Sequence, residues 1–467
     1  MKSYKNNKSL FFLSAIYAMG NFGSRVLSFL LIFFTTYYLT SSEVGQFDLV
    51  LISLNILIPL FSLQISDSIF RWLITVKDRK EGQFIVSTGV FFYFITSIVF
   101  ILIWKGLDFF SLISFQFSNY IIILIIVQSF YIVLQQIVRG IGYNKLYAIN
   151  GVINSFINVS LSVYFLVFTN LKIEGLLISI ITAYCITSIQ LIFVSKIYKL
   201  INIKLFDIKL LKEMLSYSCP MIPNSLSWWG ISSSNRYLIL LFLGTSFNGI
   251  FAIAFKLPTI VTMIVGVFTL AWQEKSILTF NDKNRNEYYT SVFDKYSSLL
   301  ICFSAVVLSL NNFLFHFFID KSFIESKYLV PILMLSTIFS SLASFYSSGF
   351  LGAKKTSSLF ISTVLSGLFT IILSFFLIPH IGLYGASIGI LTGYIFLLSL
   401  RIYQSRDIFR IHVNYQKMCG LLIVFFISFI PTYFDNILIQ ISVIVFVITI
   451  SLYFNFNTIK TFKNKFL

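Results

Sequence analysis

Charge is what this sequence has least of. Only 11% of its 467 residues are Asp, Glu, Lys or Arg, against ~25% in a soluble domain. With 57% hydrophobic residues and a mean hydropathy of +0.89, the chain cannot cover its apolar surface in water. A soluble fold is excluded, and a polytopic membrane protein is expected. Motifs of membrane enzymes are missing as well: no phosphate-binding glycine loop, HExxH, GxSxG or paired Cys/His ligands. Cys185, Cys219, Cys302 and Cys419 lack metal-ligand spacing and read as packing residues. Glycosyltransferases, polymerases and ligases present acids or bases from a sizeable loop, and none is evident. The reading is of a protein that moves a substrate, not an enzyme, with no cofactor or metal.

What is present is a succession of apolar runs of ~20 residues, the length that spans a bilayer. They fall near 10–39, 46–69, 84–104, 120–138, 147–168, 173–195, 216–243, 248–272, 292–317, 328–350, 357–378, 382–402, 418–434 and 437–456. The fold expected is all-α with about 14 transmembrane helices. The basic-then-apolar N-terminus is about twice too long for a signal core and reads as a retained first helix. Trp72, Trp104 and Trp272 fall near helix ends and are expected as interface anchors. Pro59, Pro220, Pro223 and Pro258 should kink their helices.

The net charge of +17 is first an orientation signal. About 26 Lys/Arg fall in the N-terminus, alternate loops and the C-terminal tail, and about four in the opposite loops. Both termini are expected in the cytoplasm, with the basic loops against anionic lipid and no nucleic-acid partner. Reporter fusions at residues 110, 247 and 381 should read outside, and those at 205 and 282 inside. A cytoplasmic signal at 247 would sink this topology.

The sequence also repeats. Leu39, Ser42, Gly45 and Phe47 match Leu243, Ser246, Gly249 and Phe251 at an offset of 204. Gly142, Lys145, Gly175, Thr182 and Tyr184 match Gly352, Lys355, Gly385, Thr392 and Tyr394 at an offset of 210. The unit is six helices, and an even-numbered unit repeats in the same orientation. Two pseudo-symmetric lobes are expected, residues 1–200 and 201–405, around a central cavity. Two further helices and a basic tail, 406–467, follow.

Three basic residues lie well inside spans: Arg25, Arg236 and Lys256. Each costs ~3 kcal/mol against lipid, so they are expected to line a wet space between the lobes. Polar residues recur beside them at helical spacing, Asn21 near Arg25, and Trp229 and Ser232 near Arg236. Trp229 packs or stacks on a sugar. With few acids nearby the cavity is cationic, and its cargo an anion; arginine's fork suits phosphate or diphosphate oxygens. Asp67 is the one candidate for coupling to a proton or sodium gradient.

The stretches "SRVLSFLLIFFTTYYLTSSEVGQFDLVLI", "SYSCPMIPNSLSWWGISSSNRYLILLFLGTSFNGIFAIAFKL" and "LSFFLIPHIGLYGASIGILTGY" resemble the Wzx-type O-antigen and repeat-unit flippases. These form the polysaccharide transporter branch of the multidrug/oligosaccharidyl-lipid/polysaccharide (MOP) exporter superfamily. Ser24-Arg25-Val26-Leu27 is similar to a first-helix motif of the peptidoglycan-precursor flippase. The second basic–acidic pair of that relative is replaced here by Leu31-Ile32. The resemblance implies a bacterial plasma-membrane protein that moves undecaprenyl-diphosphate-linked oligosaccharide between leaflets by alternating access. It also implies possible contacts with polysaccharide polymerase machinery. A multidrug or metabolite exporter is the alternative, and a membrane polymerase or ligase a third.

Overall fold

The computed structural model describes residues 23, 27, 29–76, 78–110, 117–353 and 355–466. It is all-helical, with no strand among the described residues. Among the described residues, twelve helices are long and apolar enough to cross a membrane, and they correspond to twelve of the expected spans. Most of the first expected span lies outside the described residues. The expected span 216–243 is broken into shorter helices. Contacts divide the chain into two compact units, residues 1–39 with 47–229, and residues 40–46 with 230–467.

The first unit contains α1 (Phe29–Tyr38), most of α2 (Ser41–Ser62), α3 (Ile65–Leu73), α4 (Arg79–Phe109), α5 (Ser118–Gly140), α6 (Asn144–Phe168), α7 (Lys172–Ser195), α8 (Ile208–Ser218) and most of α9 (Met221–Ser232). The expected span 46–69 is broken at Leu63 and Gln64, whose φ angles of 47° and 51° lie in the left-handed region. Two such non-glycine residues cost about 1–3 kcal/mol each. The Gln64 amide at the break donates to the Ser225 hydroxyl at 2.6 Å. Beyond the break, α3 buries Ile65, Ile69 and Leu73 on one face. Residues 201–229 pack here too, where the Ser68 hydroxyl donates to the Met214 carbonyl at 2.6 Å.

The second unit holds α10 (Asn235–Phe242), α11 (Thr245–Ala254), α12 (Lys256–Leu278), α13 (Arg285–Ser309), α14 (Asn311–Phe318), α15 (Val330–Gly352), α16 (Thr356–Ile381), α17 (Leu383–Ser405), α18 (Tyr415–Ile427), α19 (Ile430–Tyr433) and α20 (Ile437–Phe466). Its core contains a run of parallel rings. Phe268 stacks on Tyr296 at 4.2 Å, Tyr296 on Phe345 at 5.4 Å and Phe345 on Trp272 at 4.5 Å. The expectation for Trp104 and Trp272 is thereby corrected. Both are buried, and their indole N–H groups donate to Ser118 Oγ and the Phe345 carbonyl. An indole that finds a partner inside has no need of the headgroup layer. The C-terminal segment is bound into this unit. Lys417 pairs with Asp294 at 2.8 Å, and Asn311 Nδ2 donates to Thr432 Oγ1 at 3.1 Å.

The repeated residues occupy matching places. Lys172 and Gly382, 210 positions apart, begin α7 and precede α17, and both have positive φ, 45° and 59°. The other match meets itself directly. Ser41 bonds to Ser246 at 2.5 Å and Ser42 to Thr245 at 2.8 Å. A Cβ on Gly45 would lie 1.9 Å from the Thr245 carbonyl oxygen, and one on Gly249 would lie 1.9 Å from that of Ser41. Under the offset of 204, Ser41 corresponds to Thr245 and Gly45 to Gly249, so each of these four contacts maps onto its reverse. This reciprocity is the mark of a two-fold axis.

Candidate functional site

Arg236 lies in the first turn of α10, after the chain leaves α9 through Ser233 and Ser234. It is 5% exposed. Its guanidinium carbon sits 4.5 Å from the ring centre of Phe251 and 4.4 Å from that of Phe255. A desolvated cation–π contact is worth ~2 kcal/mol. Two of them offset much of the ~3 kcal/mol insertion cost. The charge therefore persists in apolar surroundings through aromatic faces.

Lys256 follows Phe255 directly and opens α12. It is half-buried, and its carbonyl accepts from the Thr259 hydroxyl at 2.5 Å. The second expected cation is thus adjacent in sequence to a ring that covers the first. Ser232 is half-buried at the end of α9, its hydroxyl 3.1 Å from that of Ser233. Ser232, Arg236 and Lys256 all belong to the second unit. Trp229 and Asp67 belong to the first. There the Trp229 indole N–H donates to the Ile52 carbonyl at 3.4 Å. Asp67 sits in the first turn of α3. Asn21 and Arg25 lie outside the described residues.

Charge-seeking missed two features. Arg401, counted from sequence with a basic loop, is 1% exposed inside the second unit. It donates to the Ala343 carbonyl and Ser347 Oγ, both at 2.8 Å, and to Thr363 Oγ1 at 3.2 Å. It joins α15, α16 and α17 and reads as a structural clamp.

The other feature is a cavity of about 250 Å³ inside the first unit, among α2, α5, α6 and α7. Its polar lining is Asn55, Gln128, Asn154, Asn158 and Tyr184, with Leu54 and Ile180 among the apolar walls. None of its lining residues is an acid or a base. Behind it, Asn150 is fully buried and donates to the Thr187 carbonyl and Gln190 Oε1. Gln135 in turn donates to Asn150 and to the Tyr131 hydroxyl. A sequence signal existed: Asn150, Asn154 and Asn158 recur every four residues, one stripe on an apolar helix.

Comparison with known proteins agrees with this architecture. A family model described as polysaccharide biosynthesis protein matches residues 14–272. No curated protein matches the sequence. Among solved structures, the chain is similar to the lipid II flippase MurJ in an inward-closed conformation. The TM-score is 0.70 at 18% identity, covering 95% of this chain and 100% of that one. It is also similar to an outward-facing multidrug resistance MATE family transporter of the MOP superfamily, with TM-score 0.63, 15% identity, and 85% and 94% coverage. A third similar structure is a MOP superfamily transporter from Pyrococcus furiosus, described as having a binding pocket of reversed polarity. Its TM-score is 0.62 at 16% identity, covering 85% of this chain and 94% of that one. At these identities the likeness establishes the fold.

Proposed function

Because the chain belongs to the polysaccharide biosynthesis protein family and has the MurJ and MATE fold, we propose that it is a lipid-linked oligosaccharide flippase. Its cargo is an undecaprenyl-diphosphate-linked repeat unit, carried from the cytoplasmic to the outer leaflet for O-antigen, capsule or a related surface glycan. The observation that carries this reading is Arg236, a cation kept within apolar helices by two aromatic rings. Arginine's planar fork matches the oxygens of a diphosphate in pairs, which a point charge does not.

In this mechanism Arg236, with Arg25 and Lys256, attracts the diphosphate as the protein alternates between inward- and outward-open states. Asn21, Ser232 and Trp229 contact the cargo beside them. The polyprenyl tail stays in lipid, so only the head group crosses. Both termini face the cytoplasm of a bacterial plasma membrane. Asp67, in the first turn of α3, couples transport to a proton or sodium gradient.

Deleting the protein should abolish the surface glycan and trap lipid-linked repeat units in the cytoplasmic leaflet, measured by accessibility to a membrane-impermeant glycosidase. Complementation with Asp67→Asn should restore little export, because the amide cannot titrate. A deletion strain with normal surface glycan and lost resistance to cationic drugs would overturn this reading in favour of a multidrug exporter.

A further inference from the structure

Building on the flippase reading, we infer that the amide-lined cavity of the first unit is a binding subsite for one neutral sugar residue of the cargo. It sits at mid-span. Gln128, Asn158 and Tyr184 each lie about ten residues from the nearer end of their helix, or ~15 Å at 1.5 Å per residue. Leaving an amide without a partner in apolar surroundings costs a few kcal/mol. Yet among the described residues the Asn55 and Gln128 side chains are not taken up by hydrogen bonds, unlike those of Gln135, Asn150 and Asn154. They are half-buried or exposed to the cavity region, not sealed in a core.

The bonds behind the cavity fix what it offers. Asn154 Nδ2 donates to Thr187 Oγ1 at 3.0 Å, which leaves its carbonyl oxygen as an acceptor. Asn158 Oδ1 accepts from Ser162 at 3.4 Å, which leaves its amino group as a donor. These residues are one turn apart on α6, so neighbouring positions on one face present an acceptor and a donor. A hydroxyl both donates and accepts, and a pair of hydroxyls on one sugar ring matches that arrangement. Tyr184 adds an aromatic face. The absence of acids and bases from the lining disfavours an anion or an organic cation. About 250 Å³ is just below the ~300 Å³ of the smallest drug-type pockets, a size for one ring and not a whole oligosaccharide.

The test compares polyprenyl diphosphate, bare and bearing one hexose or N-acetylhexosamine, bound to the purified protein in nanodiscs. A panel of glucose, galactose, mannose and their N-acetyl amino-sugar counterparts covers the stereochemistry. The wild type should bind at least one glycosylated lipid about tenfold tighter than the bare one, the equivalent of ~1.4 kcal/mol. Gln128→Leu and Asn158→Leu should bring that ratio to about one, with bare-lipid affinity unchanged. Tyr184→Phe, which keeps the ring, should lower it less. Equal loss for both lipids, an unchanged ratio, or no preference for any sugar would overturn the inference. So would sodium binding that is lost in Asn158→Leu while sugar has no effect. If the wild type ignores polyprenyl diphosphate but binds a free monosaccharide that Gln128→Leu no longer binds, the cavity assignment stands and the flippase reading fails.

Discussion

Gly45→Ala should reduce glycan export by more than about tenfold, although it adds a single methyl group. That methyl would stand 1.9 Å from the Thr245 carbonyl oxygen, so the two helix starts must separate. Separation breaks the bonds of Ser41 to Ser246 and Ser42 to Thr245. It also strands Asn248, which is fully buried and donates to the Gly45 carbonyl at 3.0 Å. Each net hydrogen bond contributes ~1 kcal/mol, and a buried unsatisfied amide costs ~1–3 kcal/mol more. The contact loses several kcal/mol, and 1.4 kcal/mol is already tenfold in a conformational equilibrium. In the proposed transport cycle a shift of that size between states would slow turnover. Gly249→Ala should match it, and the double variant should be little worse than either, since both remove one shared contact. The readouts are export at matched membrane level and thiol labelling of Ser246→Cys, which should rise in the Gly45→Ala background. Wild-type export by Gly45→Ala would sink the idea.

Arg236→Glu is expected to abolish export outright. A carboxylate there would face two ring surfaces that are electrostatically negative, and any diphosphate would meet repulsion in a low dielectric. Arg236→Lys keeps the charge and the cation–π attraction but loses the planar fork, so partial export should survive. Arg236→Leu is the decisive variant. Removing the charge eases insertion by up to ~3 kcal/mol, so membrane level should hold or rise. Export should still fall at least tenfold if the guanidinium touches cargo. Full export by Arg236→Leu would show that Arg236 is a tolerated passenger.

The spans and the repeat were legible because hydropathy and turn glycines are local quantities. Gly249 could be paired with Gly45 from sequence, and in the structure they meet. The breaks at Leu63–Gln64 and between α9 and α10 were not legible, because an apolar window averages across them. Arg236 stood out at once, but its rings did not. Phe251 and Phe255 are ordinary residues in a phenylalanine-rich chain, and only folding brings both rings against its guanidinium. Trp272 misled for the same reason, since position near a helix end does not reveal a stacking partner such as Phe345. The amide cavity escaped notice because neutral side chains leave no mark on a charge map.

The contact of Ser41, Ser42 and Gly45 with Thr245, Ser246 and Gly249 has a consequence for ancestry. It is self-complementary: each segment could bind an identical copy of itself in the same way. A protein carrying one such segment would have the means to pair with a copy of itself, the origin expected if the two matching stretches arose by duplication. The residue types fit that origin. Near a two-fold axis each segment faces a copy of itself, so a charge there would stand close to a like charge and bulk would be met by equal bulk. Glycine yields the space, and a hydroxyl can donate to a facing hydroxyl or accept from it. Drift after duplication can thus exchange serine for threonine, as at Ser41 and Thr245, but a change at either glycine must be answered across the axis.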